Sequence, residues 1–108
     1  MKKLLFICSR NRLRSPTAES VFGESDGFET ASAGLNHDAN QTVTPELLQW
    51  ADVILVMERG HRHKLSQRFQ PYLKNKQVIC LDIPDKYGYM DAELIHLLKQ
   101  KVSQLLRI

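Results

Sequence analysis

The sequence predicts an α/β fold, a three-layer sandwich in which a parallel sheet has helices on both faces. Two observations support this prediction. Short apolar runs alternate with segments of helical periodicity along the chain. The first run, KLLFI, also lacks the polar alternation of a strand with one solvated face, which is typical of a parallel, central strand buried on both sides. At 108 residues the chain has the length of one domain.

Four short apolar runs predict the strands of this sheet. The first run, KLLFI, precedes a cysteine, and the second, FETASA, ends at a glycine. Because the runs are separated by helical segments, right-handed crossovers should join them. The predicted strands are residues 3–7, 28–33, 52–57 and 77–81.

The helices are predicted from their start and stop signals. Ser15 is a candidate N-cap with Pro16 at the first helical position, and Thr44 and Pro45 repeat that arrangement. Residues 35–43 are polar and predict a loop. Asp91 should cap a last helix with leucines at helical spacing. The predicted helices run from Ser15 to the glycines at 23–27, from Thr44 to Trp50, over 60–69 until Pro71, and from Asp91 through 94–106.

The predicted topology brings two distant loops together. In a parallel sheet, ligands bind beyond the carboxyl ends of the strands. Cys8 lies at the carboxyl end of the first strand, and the loop 82–90 follows the fourth strand at the same edge. Segments about seventy positions apart can therefore form one site.

The loop after the first strand has the composition of an anion site. Cys8 and Arg14 stand in a C-x5-R spacing, followed by Ser15 and a helix. Loop N–H groups and the helix N-terminus can surround a phosphate, and an arginine can bind two of its oxygens. The same positive field favours a thiolate, which Ser15 could support and which could attack phosphorus. The candidate phosphate-binding residues are Ser9, Arg10, Asn11, Arg12, Leu13 and Arg14.

Such a displacement needs an acid for the leaving oxygen. The second loop offers Asp82, Asp85 and Asp91. Asp91 is better used as a helix cap, and Asp82 directly follows the strand. Asp85, in the middle of the loop after a proline, is the preferred candidate, with Asp82 as the alternative.

These motifs resemble those of the low-molecular-weight protein tyrosine phosphatase family, in a short variant. That family has C-x-G-N-x-C-R-S-P after its first strand, and Cys8, Asn11, Arg14, Ser15 and Pro16 match it. The resemblance continues in order along the chain. Further matching segments are TAESVF (17–22), SAG (32–34), VILVME (53–58) and IPDKY (83–87).

The resemblance implies one phosphatase-like domain over residues 1–108, with four parallel strands in the order 2-1-3-4. It implies an enzyme without metal or cofactor that hydrolyses phosphotyrosine in proteins or small aryl phosphates. We expect it in the cytoplasm because no apolar run is long enough for a membrane span or a signal peptide. By the same resemblance, Cys8 is the nucleophile, Arg14 the phosphate clamp, Asp85 the general acid, Ser15 the support of the thiolate, Asn11 the residue that shapes the loop, and Tyr87 an aromatic wall.

Two other functions remain open at this stage. Arg10 stands at the family's loop glycine and Lys86 at the proline after the acid, which would suit a module that binds phosphate or phosphoprotein without catalysis. An arsenate reductase would use the same loop. Its thioredoxin-linked forms need two further cysteines, and the sequence has only Cys80 besides Cys8.

Composition limits the remaining classes. The net charge of +3 suits an anionic partner, whereas the few aromatics are not interleaved with the arginines as nucleic-acid binding would require. No apolar run approaches the roughly 18 residues of a membrane span.

We expect the chain to be a monomer or a weak dimer. His61 and His63 lie two positions apart and share no helix face, so no metal site is predicted, and Glu58 with the neighbouring basic residues should form a solvated surface.

Overall fold

Strands and helices alternate in the computed structural model, which describes residues 2–24 and 27–107. Within these ranges the strands β1 to β4 span Lys2–Cys8, Phe28–Gly34, Val53–Val56 and Gln77–Cys80. The helices α1 to α4 span Arg14–Gly23, Pro45–Trp50, Arg59–Phe69 and Ala92–Leu106, and a short 3₁₀ helix, Gln70–Tyr72, follows α3.

The four strands form one parallel sheet in the order β2-β1-β3-β4, as predicted. β1 is central because it is apolar on both faces, so its burial requires a neighbour on each side and a helical layer above and below. The register aligns Cys8 with Gly34 of β2 and Ile7 with Val56 of β3. The ends of these strands therefore form a continuous edge of the sheet.

Alternation along β1 divides the core into two layers. Leu4, Phe6 and Cys8 face one side, and Leu5 and Ile7 face the other, because successive side chains of a strand point to opposite faces. Helices α1 and α4 cover the Cys8 side, while α2 and α3 cover the opposite side. The predicted three-layer sandwich is thus confirmed.

Two helix starts follow the capping signals of the sequence. The Thr44 hydroxyl accepts from Leu47 N at 3.2 Å, with Pro45 at the first helical position. The Asp91 carboxylate accepts from Glu93 N at 2.9 Å. Both side chains replace hydrogen bonds that the first turn of a helix lacks.

The predicted start of α1 is wrong by two positions. The helix begins at Arg14 with Leu13 at the N-cap position, and no side chain caps it. Ser15 is the second helical residue, and its hydroxyl contacts the Cys8 sulfur instead of a backbone N–H. Pro16 is the third helical residue, where its missing N–H costs no helical bond.

The third helix ends at Phe69, as predicted, and a separate 3₁₀ turn that contains Pro71 follows it. β4 lies at one edge of the sheet, as the predicted order 2-1-3-4 requires, but its residues are half-buried or exposed, so residues 77–81 are not the core strand that their apolar side chains predict. Among the described residues, no helix is both long and apolar enough to cross a lipid bilayer.

Candidate active site

The loop between β1 and α1, residues 8–14, is held from behind by the segment that follows β2. Three successive carbonyl groups of the loop accept hydrogen bonds from backbone N–H groups of this segment. Their oxygens therefore point toward the segment that follows β2. The arrangement fixes the loop backbone without using its own N–H groups. The bonds run from Leu35 N to Cys8 O at 3.0 Å, from Asn36 N to Ser9 O at 2.8 Å, and from Asn40 N to Arg10 O at 3.1 Å.

Two residues make this loop geometry possible. Asn11 has a φ of +56°, a left-handed conformation that asparagine tolerates better than most residues. Arg10, at the family's glycine position, is not among the described residues with positive φ, so a side chain there carries no such strain. A Cβ at Gly34 would lie 2.6 Å from Ser9 O, so the close approach of β2 to the loop requires glycine.

The Cys8 sulfur lies at the base of the loop with polar groups around it. Asn11 N donates to Sγ at 3.2 Å, and Ser15 Oγ lies 2.9 Å from Sγ. The Asn11 side-chain amide donates to the same Ser15 oxygen at 2.9 Å, so the Ser15 proton can point to the sulfur or to Ala33 O, 3.4 Å away. Both contacts stabilise a negative charge on sulfur.

Arg14 is buried at the first position of α1, with only 2% of its side chain exposed. Its Nη1 donates to Ile83 O at 2.7 Å and lies 2.7 Å from Glu58 Oε2. These two acceptors occupy the protons of Nη1 and leave the edge formed by Nε and Nη2. That edge is the planar fork that binds two oxygens of a phosphate.

Glu58 was predicted to be part of a solvated surface, and that prediction is wrong. It lies two residues after the end of β3 and pairs with Arg14 across the edge of the sheet. Its position one residue beyond the buried run 53–57 was the available signal, because the carboxyl ends of parallel strands converge on the site.

Asp85 is the carboxylate of the second loop nearest to Arg14. Its Oδ1 lies 3.7 Å from Arg14 Nε, an ion-pair distance rather than a hydrogen bond, and its side chain is 64% exposed. Asp82 has its backbone in the left-handed region, and its carbonyl accepts from Lys101 Nζ at 3.1 Å. Asp85, unlike Asp82, lines the cleft above the thiol.

The cleft has a volume of about 620 Å³ and opens over Cys8. Leu13, 39% exposed, contributes an apolar surface to it. Tyr87, expected as an aromatic wall, instead packs half-buried against the core on the Cys8 side of the sheet, with Lys86 Nζ 5.5 Å from its ring centroid. The cleft is lined by Cys8, Ser9, Arg10, Arg12, Leu13, Arg14, Asn36 and Asp85.

His61 was not predicted to belong to the site. It is 5% exposed on α3, its Nδ1 accepts from Glu58 N at 3.1 Å, and its Nε2 lies 3.0 Å from Ser9 Oγ. Burial lowers the pKa of His61 from 6.5 to about 4, so the ring is neutral at pH 7. The Glu58–His61 spacing, with its N-cap and third-residue positions, was the signal that could have revealed this contact.

The remaining candidates for metal or disulfide chemistry are separated in space. In the parts of the chain that the structure describes, no three His, Cys, Asp or Glu side chains come together as a metal site. Both cysteines are free thiols. Cys80 packs against the layer on the α2 and α3 side, whereas Cys8 faces the α1 and α4 side.

Solved structures similar to this chain include phosphatases. The YwlE arginine phosphatase of Geobacillus stearothermophilus is 22% identical, with a TM-score of 0.77, over 99% of this chain and 94% of that one. Wzb of Vibrio vulnificus, in complex with benzylphosphonate, is 23% identical with a TM-score of 0.79, over 98% and 97% of the two chains.

A third similar structure is the low-molecular-weight protein tyrosine phosphatase from T. tengcongensis. It is 22% identical with a TM-score of 0.79 over 99% of both chains. No protein-family model matches the sequence, and no curated protein does. The chain therefore has the fold that the sequence motifs implied, the fold of the low-molecular-weight protein tyrosine phosphatases.

Proposed function

We propose that this chain is a cysteine-dependent phosphomonoester hydrolase that acts on phosphotyrosine through a phospho-cysteine intermediate. One observation carries the proposal: the Cys8 sulfur, bonded by Asn11 N and close to Ser15 Oγ, lies in the same cleft as the buried arginine Arg14. A thiolate and a guanidinium fork around one cavity are the groups that an in-line attack on phosphorus requires.

The proposed first step breaks the ester bond. The Cys8 thiolate attacks phosphorus, the S–P bond forms, and the P–O bond to the phenol breaks. Arg14 binds two equatorial oxygens through Nε and Nη2, while Nη1 stays on Ile83 O and Glu58. Asp85, in its protonated form, donates its proton to the departing oxygen, so that a neutral phenol leaves.

The proposed second step restores the enzyme. Asp85, now a carboxylate, accepts a proton from a water molecule as that water attacks phosphorus. The S–P bond breaks, inorganic phosphate leaves, and the sulfur returns to the thiolate form. Its contacts with Asn11 N and Ser15 Oγ stabilise the sulfur as a leaving group for the same reason that they stabilise it as a nucleophile.

The walls of the cleft favour an aryl phosphate over phosphoarginine. Leu13 offers an exposed apolar surface to an aromatic ring. Arg10 and Arg12 line the cleft as well, and their charges repel the guanidinium of phosphoarginine. The similar Wzb structure holds a benzylphosphonate, an aromatic phosphate analogue.

Hydrolysis of p-nitrophenyl phosphate tests the proposal. We expect a burst of nitrophenol equal to the enzyme concentration, followed by slower turnover, and loss of both in Cys8→Ser. Cys80→Ser is the matched control and should retain the wild-type rate. Full activity in Cys8→Ser would refute the mechanism. Vanadate binding without any turnover would assign the chain to the non-catalytic phosphate-binding class.

A further inference from the structure

A second groove adjoins the cleft and has a charge that the hydrolysis steps do not use. It has a volume of about 620 Å³ and lies between residues 35–38, after β2, and the outer face of α3. Arg10 and Asn36 line both cavities, so the groove is a lateral continuation of the cleft. A substrate whose phosphate contacts Cys8 can therefore extend into it.

Cations dominate the lining of this groove. Lys64 and Arg68 are four positions apart on α3, so both project from the same helix face, and Arg10 is the third cation. Asp38 is the carboxylate among the lining residues, and its Oδ2 lies 3.9 Å from Arg10 Nε, too far for a hydrogen bond. The groove thus carries a net positive charge.

The Arg68 guanidinium is fixed by a hydrogen bond to the backbone. Its Nη1 donates to Leu35 O at 2.7 Å, which fixes the guanidinium against the wall of the groove. A guanidinium has five N–H donors, so this bond leaves donors for a ligand. Holding the side chain in advance lowers the entropy that binding would otherwise cost.

From this groove we infer that the substrates are acidic phosphopeptides, in which a carboxylate side chain near the phosphorylated residue binds Lys64 and Arg68. The inference rests on the proposed phosphatase function. Because Arg10 lines both the cleft and the groove, the acidic residue should stand close to the phosphorylated one in the peptide sequence.

The effect should appear in binding rather than in chemistry. Exposed ion pairs are individually weak and are screened by salt. Because the contact is made equally before and during the reaction, it should lower KM and leave kcat unchanged. We expect kcat/KM for a phosphotyrosine peptide with flanking glutamates to exceed that of its alanine-flanked counterpart by about tenfold at low ionic strength.

The test compares these two peptides and p-nitrophenyl phosphate at 50 mM and 500 mM salt. Lys64→Glu should abolish the preference for the acidic peptide and leave p-nitrophenyl phosphate hydrolysis unchanged. Lys99→Glu makes the same charge change on the exposed face of α4, on the other side of the sheet. This control variant should keep the preference for the acidic peptide. High salt should reduce the preference in the wild type.

The outcomes separate the inference from the function on which it rests. Hydrolysis of p-nitrophenyl phosphate with equal kcat/KM for both peptides, or with a preference that survives Lys64→Glu, overturns the inference alone. Absence of p-nitrophenyl phosphate hydrolysis refutes the proposed function, and the inference falls with it. Binding of a single-stranded oligonucleotide that requires Lys64 and excludes the acidic peptide would assign the groove to nucleic acid.

Discussion

Nε2 of His61 donates a hydrogen bond to Ser9 Oγ at 3.0 Å, and this direction follows from the other side of the ring. Nδ1 accepts from Glu58 N at 3.1 Å, so it carries no proton. A neutral ring then has its proton on Nε2. The bond ties the N-terminus of α3 to the first residue after Cys8 and leaves the Ser9 hydroxyl proton free to point elsewhere.

This contact predicts that stability falls as the pH is lowered. Burial holds the pKa of His61 at about 4, against 6.5 when unfolded; the nearby Glu58 opposes this, while Arg14 and Lys64 add to it. As the pH falls below 6.5, the unfolded chain binds the proton first, so the free energy of unfolding decreases until about pH 4. Between pH 7 and pH 5 the loss should be about 2 kcal/mol.

Urea unfolding of His61→Gln at pH 7 and pH 5 measures this loss. Glutamine can accept from Glu58 N at the same helix position but does not titrate, so the variant should lose about 2 kcal/mol less than the wild type over this range. His63→Gln, on the exposed face of α3, is the control and should follow the wild type. Identical pH dependence in wild type and His61→Gln would contradict the assignment.

Gly34→Ala should disrupt the loop around Cys8. Its Cβ would lie 2.6 Å from Ser9 O and 2.9 Å from the carbonyl carbon of Arg10, both backbone atoms that must move. We expect a fall of about 2 kcal/mol in the free energy of unfolding and at least a hundredfold loss of p-nitrophenyl phosphate hydrolysis, because small displacements of reacting groups cost that much. Gly60→Ala is the control, since its Cβ meets nothing within 4 Å. Wild-type activity in Gly34→Ala would show that the close approach is not required.

Ser15→Ala should slow the chemistry of Cys8 without altering the fold. The change removes the oxygen 2.9 Å from Sγ, which is also the acceptor of the Asn11 side-chain amide, and it leaves the backbone bond from Asn11 N to Sγ. In a Cys80→Ser background, the rate of iodoacetamide alkylation should drop about tenfold, roughly 1.4 kcal/mol in the barrier. Ser20→Ala, further along α1 and next to Tyr89, should not change the rate. Equal rates in all three proteins would exclude a role of Ser15 at the sulfur.

Glu58→Gln should weaken phosphate binding through Arg14. The neutral amide no longer balances the buried guanidinium, and its NH₂ group can point a donor at Nη1, 2.7 Å from the position of Oε2. We expect kcat/KM for p-nitrophenyl phosphate to fall about tenfold. Glu46→Gln, in the exposed first turn of α2, controls for the loss of one negative charge. A wild-type value in Glu58→Gln would mean that Ile83 O alone orients Arg14.

Most of the fold and the centre of the site follow from local patterns. Apolar runs predict the strands, and the thiol, asparagine, arginine and serine of the loop lie together as their spacing indicates. The contacts across elements do not follow from such patterns. The burial of His61 and the pairing of Glu58 with Arg14 depend on how α3 leaves β3, which sequence periodicity does not specify. Ser15 was given two roles, helix cap and support of the thiolate, and its hydroxyl lies at the sulfur and caps no helix, because the three-dimensional loop decides which group one hydroxyl contacts.

The position of Asp85 predicts a dependence on the leaving group. Its Oδ1, 3.7 Å from Arg14 Nε, is close enough to the cleft for a proton to be passed to an ester oxygen there. A p-nitrophenolate leaves readily without protonation, whereas a tyrosine phenolate does not. Asp85→Asn should therefore reduce kcat/KM, which reports the first step, about a thousandfold for phosphotyrosine and much less for p-nitrophenyl phosphate. Asp82→Asn, on the residue whose carbonyl is bound by Lys101, should leave both rates near wild type. A general acid acts on the bond that breaks, so a uniform loss of kcat/KM with both substrates would instead assign Asp85 to binding. A selective loss of kcat/KM in Asp82→Asn would transfer the acid role to that residue.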